Sequence, residues 1–267
     1  MRLPLAPLAT AMGVAGLVGA IVYGAAPTRR AGPRTPVLVE LFTSEGCSSC
    51  PPADTLLTRL VTDQPIDGVE VVGLSLHVDY WNRLGWVDPF SKAEFTERQN
   101  DYATIWGVSR IYTPQAVVDG AHEFVGSDDS AARKYITAAG ATPKVPIALD
   151  VEPQGGGADR VVVRISGSPS IGRASKANVM LAVAEDGLVS EVRRGENADH
   201  TLSHIAVVRS LKRAVQWDLG KGLATTITLQ LDPAWHRDRV RVVVFVQDPV
   251  SRGVIGIATK RLGSTAG

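Results

Sequence analysis

The 267 residues carry 28 Lys+Arg against 27 Asp+Glu, two cysteines and 45% hydrophobic side chains. A formal net charge of +1 offers no global basic footprint for nucleic acid, which is held by clustered Lys and Arg. Two cysteines can build neither a multi-bridge scaffold nor an all-cysteine zinc site, so any thiol chemistry comes from one pair.

The near-neutral total hides three segments. Residues 1–35 carry four arginines and no acid, residues 36–142 carry 7 basic against 15 acidic residues, and residues 143–267 carry 17 against 12, which predicts three structural regions. No charge falls between Leu3 and Thr28, and Ala11 to Ala26 is small and apolar throughout. That length suits the h-region of a signal peptide and nearly a membrane span. Residues 1–35 are therefore expected to be a signal peptide or membrane anchor plus linker. The rest of the chain would then be exported, periplasmic or extracellular, or tethered to the inner membrane, where a cysteine pair persists as a disulfide.

Val37 to Phe42 is a short apolar run of strand type, leading into Thr43-Ser44-Glu45-Gly46-Cys47-Ser48-Ser49-Cys50-Pro51-Pro52. Leu56, Leu57, Leu60 and Val61 then recur with helical spacing. Pro51 and Pro52 suit a first helical turn, whose N–H groups have no intrahelical acceptor, so Cys47 is expected at a helix N-terminus with Cys50 one turn on. Asp67-Gly68 marks a turn and Val69 to Val78 is again strand-like. Ser91-x-x-Glu94 matches a capping box for a helix bearing Phe95, Tyr102, Ile105 and Trp106 and stopping at Gly107. After Ile111-Tyr112-Thr113-Pro114, strands at 115–118 and 121–125 flank an Asp119-Gly120 turn, and a helix from about Asp128 to Ala139 ends at Gly140.

This order over residues 37 to 141 resembles the thioredoxin fold: Cys47-Ser48-Ser49-Cys50 after the first strand, Thr113-Pro114 opening the third, and a closing hairpin and helix. The resemblance implies a cis proline at Pro114 facing the cysteine pair. Gly46 stands where that family has tryptophan and Pro51 where it has a basic residue, which bears on substrate range and redox poise. The strings ELFTSEGCSSCPPAD at 40–54, SLHVDYWNRLGWVDPF at 75–90 and YTPQAVVDG at 112–120 also resemble an uncharacterised family of secreted bacterial proteins, the domain of unknown function 1223. That family brings no established activity.

A thiol at a helix start has its thiolate stabilised by the macrodipole and by free N–H groups. Cys47 is thus the candidate nucleophile and Cys50 the resolving thiol. A cis peptide before Pro114 would set Thr113's backbone beside the sulfurs, where an extended substrate strand can pair. The bland alternative is a permanent local disulfide. His77, Asp79, Tyr80 and Trp81 follow the second strand and should emerge at the edge where Cys47 lies. His77 with two thiolates would suit copper(I), although a strand-end histidine is the preferred reading. Trp81, Trp86 and Phe90 could wall the site or form a satellite core. Glu40 and Glu45 flank the motif, and a buried Glu40 could accept a proton from Cys50.

From Lys144 onward strand-like runs at 145–151, 160–166, 177–184, 204–210, 225–231 and 240–247, separated by turns such as Gln154 to Ala158, predict a β-sandwich. His200 and His204 have metal spacing only on a helix, and Ala206-Val207-Val208 favours a strand. The expectation is an α/β thioredoxin-like domain at 36–142 followed by an all-β sandwich-like domain at 143–267. The expected activity is an exported thiol–disulfide oxidoreductase acting through Cys47, Cys50 and Pro114 on protein thiols or disulfides of the cell envelope. It needs no organic cofactor, because the dithiol carries the electrons. The rivals are a copper-binding protein using the same pair and a non-enzymatic envelope binding module with a static disulfide.

Overall fold

The computed structural model describes Met1 and residues 34–155, 159–170 and 176–262. The leader and linker expected over residues 1–35 lie almost wholly outside these, as does part of the Gln154 to Ala158 turn. Among the described residues no helix is long and apolar enough to cross a membrane.

Strand β1 (Thr35–Thr43) runs parallel to β2 (Val69–His77), with helix α1 (Pro51–Asp63) between them in the chain. Residues 37–43 of β1 are buried on both faces, which is why this stretch reads as an apolar run, interrupted by the buried Glu40 and closed by Thr43, rather than an alternation. Helix α2 (Ala93–Trp106) follows the 79–90 loop, and β3 (Gln115–Val118) pairs antiparallel with β1 and with β4 (His122–Val125). Asp119 and Gly120, at φ 48° and 66°, form the tight turn that the sequence placed there. Helix α3 (Asp129–Gly140) is capped by Asp128, whose carboxylate accepts from the Ala131 N–H.

The second half supplies β5 (Ile147–Pro153), β6 (Arg160–Gly167), β7 (Lys176–Glu185), β8 (Leu188–Val192), β9 (His200–His204), β10 (Val207–Asp218), β11 (Leu223–Gln230), β12 (Val240–Gln247) and β13 (Val254–Arg261). These strands do not close a separate sandwich. Strand β10 meets the free edge of β2 in parallel at Val207 and Ser75, and β7, β12 and β13 continue outward. The result is one eight-stranded mixed sheet in the order β13-β12-β7-β10-β2-β1-β3-β4. A three-stranded sheet, β11-β6-β5, accompanies it, and β8 and β9 form an isolated ribbon.

The expected fold class is therefore corrected. The described residues are 44% strand and 20% helix, and the defining feature is a large mixed sheet, not a thioredoxin-like α/β domain followed by an all-β one. The reason lies in the core. Leu38, Phe42, Leu74 and Leu76 from the first half share one apolar cluster with Ala184, Val208, Val243 and Phe245 from the second. A second cluster, built around Val163, Val179, Leu181, Trp217 and Val244, belongs wholly to the second half. The Ser91-x-x-Glu94 capping box is also not formed: Lys92 is the N-cap without a side-chain bond, and Ser91 Oγ donates instead to Asp88 O at 2.8 Å.

Candidate functional site

Cys47 and Cys50 form a disulfide with Cα atoms 5.4 Å apart. Cys50 is the N-cap of α1, and Pro51 and Pro52 fill its first two positions. Cys50 accepts from the Ala53 and Asp54 N–H groups through its carbonyl, at 2.8 and 3.1 Å. Cys50 rather than Cys47 thus stands at the helix end, with Cys47 one turn before it and 3.3 Å from Ser49 Oγ. Both cysteines are 0% exposed, whereas Ser48 and Ser49 between them face solvent.

Around the pair lies a buried set of ionisable groups. Glu45 Oε1 is 3.2 Å from His204 Nε2, and Glu45 Oε2 accepts from Trp86 Nε1–H at 2.7 Å. His77 Nδ1 is 2.7 Å from Asp88 Oδ2, which also accepts the Glu45 N–H at 2.8 Å. The two imidazoles meet edge to face at 4.8 Å, enclosed by Phe90. Asp54, in the first turn of α1, accepts from Thr43 Oγ1 at 3.3 Å and lies 3.9 Å from His204 Nδ1. Burial pushes its carboxyl up to about 7, against the pull of His204 and Thr43. Asp88 behaves oppositely: burial raises it, but His77 and the Glu45 and Phe90 N–H groups hold it below the ordinary carboxylate value. A carboxylate stays ionised in the interior only where such partners face it.

The Thr113–Pro114 peptide is cis and Pro114 is buried. Trp81 Nε1–H donates to Thr113 Oγ1 at 2.8 Å, and a Cβ built on Gly46 would lie 3.2 Å from Trp81 Cβ. Glycine before Cys47 therefore lets the Trp81 backbone approach the motif while its ring reaches the Pro114 loop. A Cβ on Gly126 would sit 3.2 Å from both Ala53 Cβ and Pro114 Cβ, so the proline and the start of α1 flank one point.

The site is completed from the second half of the chain. Asn197 Nδ2 donates to the carbonyls of Glu45 and Cys47, both at 2.9 Å, and the Glu196 carboxylate accepts from Ser48 N–H at 3.1 Å and Ser48 Oγ–H at 2.7 Å. A pocket of about 260 Å³ is lined by Pro51, Asp54 and Thr55 on one side and residues 201–204 of β9 on the other.

Trp81 and Trp86 thus reach Gly46 and Glu45 of the loop that carries Cys47 and Cys50, and Pro114 and Ala53 of α1 both lie against Gly126. Glu40 is not available as a proton acceptor: it is clamped by Arg98 at 2.6 and 3.0 Å and by Tyr102 OH at 2.5 Å. His77 is turned to Asp88, and among the described residues no group of three or more His, Cys, Asp or Glu side chains is arranged to hold a metal. His204 enters the site from a strand, while His200 is exposed and bonds Ala198 O at 2.9 Å. Sequence reasoning misses Asp54, Asp88, Glu196 and Asn197. An acid in a first helical turn is ordinary helix chemistry, and nothing local in Gly195-Glu196-Asn197 names a partner some 150 residues away.

Fold and site together define a disulfide-bonded, mostly β protein with an enclosed Cys-x-x-Cys pair. The family model described as "Protein of unknown function (DUF1223)" matches residues 38–247, and the chain belongs to that family. Among solved structures, protein AGR_C_4864 from Agrobacterium tumefaciens is similar at 27% identity and a TM-score of 0.66, over 88% of this chain and 97% of that one. HBP35 of Porphyromonas gingivalis shares the fold at 14% identity and a TM-score of 0.55, over 87% of this chain and 77% of that one. No curated protein matches the chain.

Proposed function

We propose that the protein is an exported thiol–disulfide oxidoreductase acting through Cys47 and Cys50 on protein thiols or disulfides of the cell envelope. The carrying observation is a Cys-x-x-Cys disulfide at the N-terminal end of α1 with the Thr113-Pro114 loop packed beside that helix start. Export rests on the uncharged stretch from Leu3 to Thr28.

In the oxidised form a partner thiolate attacks Cys47 Sγ, the Cys47–Cys50 bond breaks, and Cys50 leaves with the electron pair as a thiolate. A second partner thiolate attacks the partner's sulfur in the mixed disulfide, Cys47 leaves as a thiolate, and the partner ends as a disulfide. Two electrons have then moved to the cysteine pair, and protons follow as each thiolate's pKa dictates. The helix N-terminus favours the Cys50 thiolate, and Asp54 in the same turn is a proton-carrying group near neutral pH. Run in reverse, the Cys47 thiolate attacks a partner disulfide and Cys50 resolves it. No organic cofactor is needed.

A Cys50→Ser variant should accumulate reductant-sensitive mixed disulfides through Cys47, and a Cys47→Ser/Cys50→Ser variant should not. Absence of adducts under conditions where a control oxidoreductase captures its partners removes the proposal. A second reading, a static structural disulfide, draws on the burial of both cysteines and is what a blank capture would leave standing.

A further inference from the structure

Among the described residues, the β8–β9 ribbon differs from every other strand pair in having no hydrogen-bonded neighbour in the two larger sheets. Two-stranded ribbons have little stability of their own, so its position is set by what it touches. One end is pinned at its base: Asp186 Oδ1 accepts the Ala206 N–H at 3.0 Å, joining the residue before Gly187 to the residue after Ile205. Gly187 and Ala206 both have left-handed backbones, at φ 67° and 52°, a conformation an alanine rarely adopts. The other end, residues 193–199, lies on the cysteine loop through Asn197 and Glu196. Asn197 is 6% exposed and bridges the carbonyls of Glu45 and Cys47. Glu196 holds both the N–H and the hydroxyl of Ser48. Between these ends β9 carries the buried His204, which lies 3.2 Å from Glu45 Oε1 and meets the His77 and Phe90 rings, and a pocket of about 260 Å³ opens between residues 201–204 and the first turn of α1.

We infer that the β8–β9 ribbon is a strap closed over the Cys47–Cys50 disulfide, and that it must lift about its Asp186–Ala206 base before either sulfur can be attacked. Glu196 and Asn197 are its latch, positioning residues that set how often the sulfurs are presented. Attack on a disulfide needs an open approach to one sulfur, and both cysteines are at 0% exposure while Glu196 and Asn197 hold the loop that carries them. Reduction then proceeds from a minor open population, at a rate proportional to that population. Control of protein partners by the strap rests on the oxidoreductase reading; control of the sulfurs' accessibility does not.

The test is the rate at which excess dithiothreitol reduces the oxidised full chain, followed by acid quench, alkylation and mass. One dithiothreitol thiolate opens the protein disulfide, its second thiolate displaces the protein sulfur, and cyclic oxidised dithiothreitol leaves with both protein thiols reduced. Glu196→Ala and Asn197→Ala are each expected to speed reduction by about tenfold, the loss of one charge-assisted or buried hydrogen-bonding group from the latch. Glu196→Gln, which keeps an acceptor oxygen, should fall between Glu196→Ala and the unaltered chain. Glu196 is exposed, so its variants should melt with the unaltered chain while differing in rate. Rates within about twofold of the unaltered chain for both alanine variants overturn the strap. So does equal acceleration by a remote core variant matched in melting temperature, because the route to the sulfurs is then global unfolding. Faster strap variants with a blank Cys50→Ser capture leave the strap standing and remove the oxidoreductase reading. Captured partners with unchanged reduction rates do the reverse.

Discussion

Replacing Asp54 by Asn asks whether the floor of the site holds a carboxyl against its solution preference. Asp54 is 6% exposed, and burial pushes its pKa from 3.8 to about 7. Between about pH 4 and pH 7 the native protein therefore keeps a proton at Asp54 that the unfolded chain has released. Stability falls with rising pH wherever the native state binds more protons, so this group costs nothing below about pH 4 and its full penalty is present above about pH 7. About three pKa units at roughly 1.4 kcal/mol each amount to on the order of 4 kcal/mol. Asparagine keeps the shape and can still accept from Thr43 Oγ1, but has no charge to desolvate. With the disulfide kept oxidised, Asp54→Asn should melt close to the unaltered protein at about pH 4 and well above it at about pH 8. The gap should widen by roughly 10 °C for a domain of this size. Parallel melting profiles across that range would show that Asp54 is either ionised at ordinary cost or not buried as described.

Arg98→Met should cost about 3–5 kcal/mol by leaving the 0%-exposed Glu40 carboxylate without its guanidinium partner. Adding Glu40→Gln should restore most of that loss in denaturant unfolding; a double variant no better than the single one would place the damage in packing instead. Gly126→Ala brings a Cβ to 2.7 Å from Leu41 Cδ1 and 3.2 Å from Pro114 Cβ. Overpacking of this kind costs about 1–3 kcal/mol, read as a lowered thermal midpoint; an unchanged midpoint would mean the Pro114 loop yields freely.

Much of the first half could be read locally. The β1 run, the start of α1 at the Pro51-Pro52 pair, the Asp119-Gly120 turn, the Asp128 cap and the Gly107 stop each rest on residues within a few positions of one another, which is the range over which φ/ψ preference and capping act. The same local reading erred where two local options competed. Ser91 Oγ donates to Asp88 O and accepts from Asn82 Nδ2 rather than capping α2. In the second half most strands were visible as apolar runs. The short β8 and β9 present no apolar run to read, having five residues each and mixed exposure.

The cysteine pair and its place before a helix followed from composition and spacing, since two cysteines three positions apart beside two prolines admit few local geometries. Which strand lies next to which did not. The parallel contact of Val207 with Ser75 and the merging of two halves into one sheet depend on whole buried faces finding each other across more than a hundred residues. An apolar strand carries no label for its partner, only a face to bury. The same holds for the site: Cys47 and Cys50 are three positions apart in the chain, but His204, Glu196 and Asn197 reach the loop that carries them only through that long-range pairing.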